Sequence, residues 1–198
     1  MHELSPLITA LARHRPRRQP LRRHLQRAAV AVILRETRQG GEVLLIERAQ
    51  RAGDPWSGHM ALPGGRLERA DRASGSTAAR RETAEEIGLA LDSTHGVGRL
   101  SDRLTLDHRR RGALVLSPFV YRYDNETCLY LNHEIADTCW VALADLDEPG
   151  RRGTLSWRIG PVALPMPCHP CDHRRVIWGL TLQILDELLR IADRGRLR

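Results

Sequence analysis

The sequence predicts an α/β fold, and three observations carry that prediction. Two apolar runs, 28–36 and 42–49, flank the turn Arg38-Gln39-Gly40-Gly41 and read as a buried β-hairpin. A segment rich in alanine and glutamate, with Ser74 or Ser76 as N-cap, Ala78 and Ala79 as strong helix formers and Gly88 as a left-handed C-cap, reads as a helix. Near the end, residues 174–192 place Ile177, Leu180, Ile184, Leu188 and Ile191 at the spacing of an amphipathic helix.

With 198 residues, 41% hydrophobic and 28% charged, the chain is expected to form one globular domain with a substantial core. Its longest apolar run, Ala28 to Leu34, is strand-sized and far short of the roughly 18–20 residues that span a bilayer. In order, residues 1–27 read as a short helix, Leu4 to Ala12, followed by a Pro- and Arg-rich solvated arm; 28–192 read as the domain; 193–198 are a tail. Arg51 to Leu62 is a loop punctuated by Gly53, Pro55 and Gly58. Gly98–Leu104 and Gly112–Tyr123 read as alternating strand and loop, and short strands are expected over Leu129–Leu131 and Asp137–Val141. Arg151–Pro167 reads as loop and strand. No internal repeat is present.

The formal net charge is +7, and all 31 basic residues are arginine. Codon bias in a GC-rich genome is the plainest reading of this, yet a guanidinium-rich surface also attracts phosphorylated ligands and holds phosphate bidentately. Nucleic acid is disfavoured as a partner, because aromatic residues make up only 4% of the chain and the basic residues are scattered among acidic ones after residue 30. Four cysteines without a secretory signal point to free thiols in a reducing compartment. The Arg-rich start resembles a transit peptide, but Pro16 and Pro20 interrupt an amphipathic helix there, so the cytoplasm is the expected location.

Chemistry concentrates at Gly64–Leu89. At about 100° per residue Glu82, Glu85 and Glu86 fall on one helical face, and like charges at such spacing are unfavourable without a cation. Hard carboxylates suit Mg²⁺ or Mn²⁺, and the sharp turn at Pro63-Gly64-Gly65 lets backbone approach a ligand and offer a carbonyl to a metal. A solvated acidic stripe balanced by Arg80 and Arg81 is the alternative for an isolated E-x-x-E-E. Elsewhere, Cys168, Cys171 and His173 would supply three of the four ligands of a structural zinc site, but Cys128 and Cys139 fall in strand-like segments, so free thiols are expected. No G-x-S-x-G or Cys/His signature for a nucleophile is present.

Gly65, Arg81, Glu82, Glu85, Glu86, Gly88 and Leu89 stand in the order of the signature G-x5-E-x7-R-E-U-x-E-E-x-G-U, and the chain thereby resembles the Nudix hydrolase family. Three positions depart from that pattern: Asp71 holds the first acidic place, nine residues separate it from Arg81, and Thr83 replaces an aliphatic residue. The resemblance implies an α/β/α sandwich with a mixed sheet and a Mg²⁺- or Mn²⁺-dependent hydrolysis of a diphosphate linkage. Glu82, Glu85, Glu86 and the Gly64 carbonyl would hold metal, Glu82 or Glu134 would be the general base with Glu126 as a fallback for Glu134, and Arg81 would hold the carboxylates. A short helix is implied over Leu143–Pro149.

Within the family, Leu44, Leu45, Arg48, Gly58, Pro63, Gly64 and Gly65, and again Arg175 to Thr181, resemble the coenzyme A pyrophosphatase branch, with Leu62 in place of a phenylalanine and Gly53 near an expected arginine. Coenzyme A or an acyl derivative is therefore the implied substrate, with Arg48, Arg109, Arg110 and Arg111 as candidate phosphate contacts. ADP-ribose, dinucleoside polyphosphates and nucleotide sugars are the alternatives, as is a non-catalytic nucleotide-binding module. A homodimer is compatible with the sequence.

Overall fold

A computed structural model of the protein describes residues 3–107, 112–125, 127–159 and 161–196. Its centre is β1 (Gln26–Thr37), which runs parallel to β7 (Gly112–Arg122) over nine residue pairs and antiparallel to β2 (Gly40–Arg48) beyond Leu34. β2 also pairs with β3 (Met60–Ala61) and β8 (Ile135–Ala142), while β7 pairs with β5 (Gly96–Arg99) and β6 (Arg103–Asp107). The eighth strand of this mixed sheet, β4 (Gly64–Arg66), pairs with Ala28–Val30 of β1.

Seven consecutive residues of β1 are buried, and their alternation splits the core in two. Val30, Val32 and Leu34 join Val43 and Leu45 against leucines of α1 (Leu4–Arg13), α3 (Leu143–Asp147) and α4 (Gly179–Arg196). Ala29, Ala31 and Ile33 join Leu44 and Ile46 against Ala78, Ala79 and Ile87 of α2 (Gly75–Ile87). Small residues on the α2 side let that helix lie close to the sheet. The result is the α/β/α sandwich, with the acidic helix alone on one face.

A second sheet, β9 (Gly153–Ile159), β10 (Val162–Pro170) and β11 (Val176–Trp178), closes the molecule beside α4. Here the structure revises the expectations. Arg151–Pro167 forms most of a hairpin, and Val176–Trp178 pairs with Cys168–Pro170, so the last helix begins at Gly179 rather than 174. Leu129–Leu131 is not a strand; Tyr130 N and Asn132 N instead donate to the Ile87 and Glu86 carbonyls at the end of α2. Arg13–Arg27 is held to the body rather than solvated throughout, because buried Asp102 organises it: Oδ2 accepts from Gln19 N at 3.0 Å and the Asp102 amide donates to the Arg17 carbonyl at 2.8 Å. Burial opposes that charge, but the Ser117 hydroxyl, the Gln19 amide and Arg99 outweigh it and hold the carboxyl below its usual range.

Candidate active site

The local sequence builds the site from the turn and helix that follow β3. Ser74 is the N-cap of α2, its hydroxyl accepting from Thr77 N at 3.3 Å, and Gly88 closes the helix at φ 69°. Ser76, the second residue of the helix, meets Tyr121 Oη at 2.9 Å. Buried Thr83 satisfies its hydroxyl on the Ala79 carbonyl at 2.7 Å, which is how a polar side chain occupies an aliphatic place. The two extra residues before Arg81 are absorbed by Arg72 and Ala73, both left-handed at φ 47° and 61°, between the 3₁₀ turn Arg69–Asp71 and the N-cap.

That kink delivers Asp71 to Arg81. Asp71 is 1% exposed, and its Oδ1 and Oδ2 accept from Arg81 Nε and Nη2 at 3.1 and 3.2 Å. Burial alone would raise its carboxyl, but the Arg81 hydrogen bonds and charge and the Glu68 amide bring it below the usual carboxylate value. Arg81 also donates to Glu82 and Glu85, each at 3.0 Å, and to the Arg66 carbonyl at 3.1 Å. Its guanidinium is thus taken up by protein groups and ties the Glu82 and Glu85 carboxylates to Asp71. Asp71 is the residue whose part the sequence left open, and the structure makes it the partner of Arg81.

The three glutamates of α2 share the face turned to the Gly64-Gly65 turn but differ in surroundings. Glu82 lies against Gly65 so closely that a Cβ there would come within 2.4 Å of its carboxyl carbon, so any larger residue would push that carboxylate aside. Gly64, at φ 146°, has no room for a Cβ beside the Ala29 carbonyl and donates its amide to Glu86 Oε2 at 2.9 Å. Burial pushes the Glu86 carboxyl up to about 8, with the neighbouring Glu82 charge adding to the effect and the Gly64 amide and Arg48 opposing it. Burial likewise raises Glu82, against the pull of Arg81. Glu85 is more open, its side chain 54% exposed.

Among the described residues no three His, Cys, Asp or Glu side chains converge in ligating geometry, because Arg81 holds Glu82 and Glu85, and Glu86 is turned to the Gly64 amide. The donor set nevertheless fits a hard divalent cation: three carboxylates on one face, two of them penalised for their charge by burial.

Glu134 belongs to this neighbourhood, since its charge acts on Glu86, and it is held by Arg51 Nη1 at 3.0 Å. Arg48 likewise acts on Glu86 while bonding Asp54 at 2.8 Å. Besides Arg81, Arg48 and Arg51 thus bring guanidinium groups to this neighbourhood. Arg109, Arg110, Arg111 and Glu126 lie outside the described residues. A further feature was not legible in the sequence: Trp56, His59, Trp157 and Trp178 pack as one cluster, with Trp56 and Trp157 stacked at 5.5 Å and Trp157 and Trp178 4.5 Å apart, fastening the 51–59 loop to the second sheet. Burial and the Arg48 charge lower the basicity of His59 there.

The cysteine-rich stretch is dispersed. Cys168 is buried on β10, His169 Nε2 meets the Asp145 carbonyl at 2.8 Å, and Cys171 faces Cys139. No helix among the described residues is long and apolar enough to cross a membrane.

Comparison with known proteins shows what the chain is similar to. The Nudix domain model matches residues 24–158. A protein of Schizosaccharomyces pombe described as uncharacterized is 43% identical over 111 residues, covering 54% of this chain and 33% of its own, so the chain spans about a third of that relative's length. The human mitochondrial coenzyme A diphosphatase is 29% identical over 171 residues, covering 85% of this chain and 70% of its own. Among solved structures, a MutT/nudix family protein from Enterococcus faecalis superposes with a TM-score of 0.60 at 21% identity, covering 96% of this chain and 70% of that one, a likeness of fold.

Proposed function

Because the chain belongs to the Nudix family, whose domain model spans more than half of it, we infer that it is a pyrophosphohydrolase cleaving a diphosphate linkage in a nucleoside diphosphate derivative, with coenzyme A or acyl-coenzyme A as substrate. The observation that carries this reading is the carboxylate face of Glu82, Glu85 and Glu86 over the Gly64-Gly65 turn, ordered through Arg81. The substrate rests on the 44–65 pattern around Arg48 and on the likeness to the human coenzyme A diphosphatase.

Glu82, Glu85, Glu86 and the Gly64 carbonyl would hold Mg²⁺ or Mn²⁺. The bound ion supplies Lewis acidity and neutralises the diphosphate. The remaining work falls to the chain. Arg81, fixed by Asp71, limits where the Glu82 and Glu85 carboxylates go, so that few rearrangements separate the resting from the working site. Glu82 or Glu134 takes the proton of the water that attacks phosphorus. Glu82 is suited by its raised carboxyl, and Glu134 by its accessible position on the Arg51 tether. Arg48 and Arg51 line the same neighbourhood and meet substrate phosphates by exchanging Asp54 and Glu134 for them.

Cleavage of coenzyme A leaves adenosine 3′,5′-bisphosphate and a phosphopantetheine, and the 3′-phosphate distinguishes this substrate from ADP-ribose. Arg109, Arg110 and Arg111, which precede β7 in sequence, are the proposed contacts for it. Their joint replacement by alanine is expected to lower kcat/KM for coenzyme A about ten- to a hundred-fold and to leave 3′-dephospho-coenzyme A nearly unchanged. Equal losses on both substrates would remove the 3′-phosphate contact. A wild-type preference for ADP-ribose or a dinucleoside polyphosphate would remove coenzyme A and leave the hydrolase intact.

A further inference from the structure

Two of the four thiols meet far from the carboxylates. Cys139 lies on β8, an edge strand of the large sheet, opposite Leu45 of β2; Cys171 lies just past β10 of the small sheet. Their sulfurs are 3.2 Å apart across 32 residues of sequence, and both side chains are partly accessible while packing on the larger core cluster. Arg175 ties the two strands at this point: its carbonyl accepts from the Cys171 amide at 2.7 Å, and its guanidinium bonds Asp137, two residues before Cys139, at 2.9 Å and Asp172 at 2.6 Å. Cys128 is exposed and Cys168 buried, so the remaining thiols differ from this pair in their surroundings.

We propose that Cys139 and Cys171 are a peroxide-sensitive modification site that closes to an intrachain disulfide joining the large sheet to the small one. The hydrogen bond from Cys139 and the Arg175 charge lower Cys171 against the effect of burial, whereas the same hydrogen bond and burial raise Cys139, so Cys171 is the thiolate that attacks. Its sulfur takes one oxygen of hydrogen peroxide as the O–O bond breaks, giving a sulfenic acid and water. Cys139 sulfur then attacks the Cys171 sulfur and displaces that oxygen as a second water. Two thiols and one peroxide become one disulfide and two waters; sulfur is oxidised and peroxide oxygen reduced. Closure shortens the sulfur separation from 3.2 Å to about 2.05 Å, a movement within side-chain rotation. The product fastens β8 to the sheet that carries Trp157 and, through the tryptophan cluster, the 51–59 loop.

The proposal is independent of the diphosphate substrate. Its test uses the full chain, reduced, freed of reductant and treated with a few equivalents of hydrogen peroxide. Titratable thiols measured after denaturation are expected to fall from four to two. A peptide map without reductant is expected to show Cys139 linked to Cys171. The melting temperature should rise by about 5–15 °C, as closure of a loop this long implies, and return on adding reductant. In Cys139→Ser the linked peptide and the rise both vanish while Cys171 is still oxidised. Four thiols surviving in the wild type, a link made through Cys128 or Cys168, or oxidation of Cys171 past the sulfenic acid without a disulfide would each overturn the proposal, and all three are read on wild-type protein alone.

Discussion

Replacing Asp71 by asparagine keeps the side chain's outline and removes the charge that anchors Arg81. Two oxygens of Asp71 accept from Arg81 at 3.1 and 3.2 Å, and one of them accepts the Glu68 amide at 2.7 Å. An amide has one acceptor oxygen for these donors and turns an NH₂ toward the guanidinium or the amide. Breaking a buried ion pair from one side costs about 3–5 kcal/mol. Arg81 is 21% exposed and keeps Glu82 and Glu85, which brings the loss to or below the bottom of that range, about 2–3 kcal/mol. For a domain of this size that corresponds to a drop of roughly 4–12 °C in Tm, measured by thermal unfolding at pH 7. The sign with pH follows from the depressed carboxyl. Asp71 stabilises the fold above its unfolded value near 3.8, and that contribution is lost as pH falls through the lower folded value, so the gap between variant and wild type narrows in acid. A variant melting within about 2 °C of wild type at pH 7 would refute the role of Asp71 as the anchor.

Glu85→Gln leaves a 54% exposed side chain of the same shape, so Tm should hold while kcat falls about 100- to 1000-fold; equal kcat would remove Glu85 from the metal set. Glu86 behaves in the opposite sense to Asp71. Its folded value of about 8 exceeds the usual 4.5, so the native state holds the extra proton between these values and the metal-free protein loses stability as pH rises through that window. Glu86→Gln should abolish this component, seen as a flatter Tm against pH in EDTA, and an unchanged slope would contradict it. Of Glu82→Gln and Glu134→Gln, the variant of the general base should lose about 10²- to 10⁴-fold in kcat together with the acidic limb of the pH profile. If both keep that limb, neither is the base.

What the sequence disclosed was local chemistry with a strict period. The Ser74 cap, the Gly88 terminus and the acidic face of α2 follow from helix geometry, and the hairpin from its apolar runs. The seven signature positions pointed to the Nudix family, and the domain match shows the chain belongs to it. The misses were of two physical kinds. Val176–Trp178 continues the apolar pattern of α4, and only its partner Cys168–Pro170, absent from any local window, makes it a strand. Asp71, Arg51 and the tryptophan cluster depend on contacts across 10, 83 and about 100 residues, which composition and spacing do not encode. Asp71 illustrates this best: its two-residue displacement from the signature is undone by two left-handed residues whose conformation no propensity would suggest for arginine and alanine. The arm over 13–27 was misjudged for the same reason, since Asp102 and its neighbour Ser101 hold it from more than 80 residues away.

The central claim, that the carboxylate face of α2 drives diphosphate hydrolysis with a divalent cation, is tested most directly by product analysis of coenzyme A, ADP-ribose, dinucleoside polyphosphates and nucleotide sugars incubated with the wild-type chain in Mn²⁺ or Mg²⁺ and in EDTA. The expected result is adenosine 3′,5′-bisphosphate and phosphopantetheine from coenzyme A with metal and no product in EDTA. Turnover undiminished in EDTA, or no phosphorylated product from any of these compounds with metal present, would contradict it.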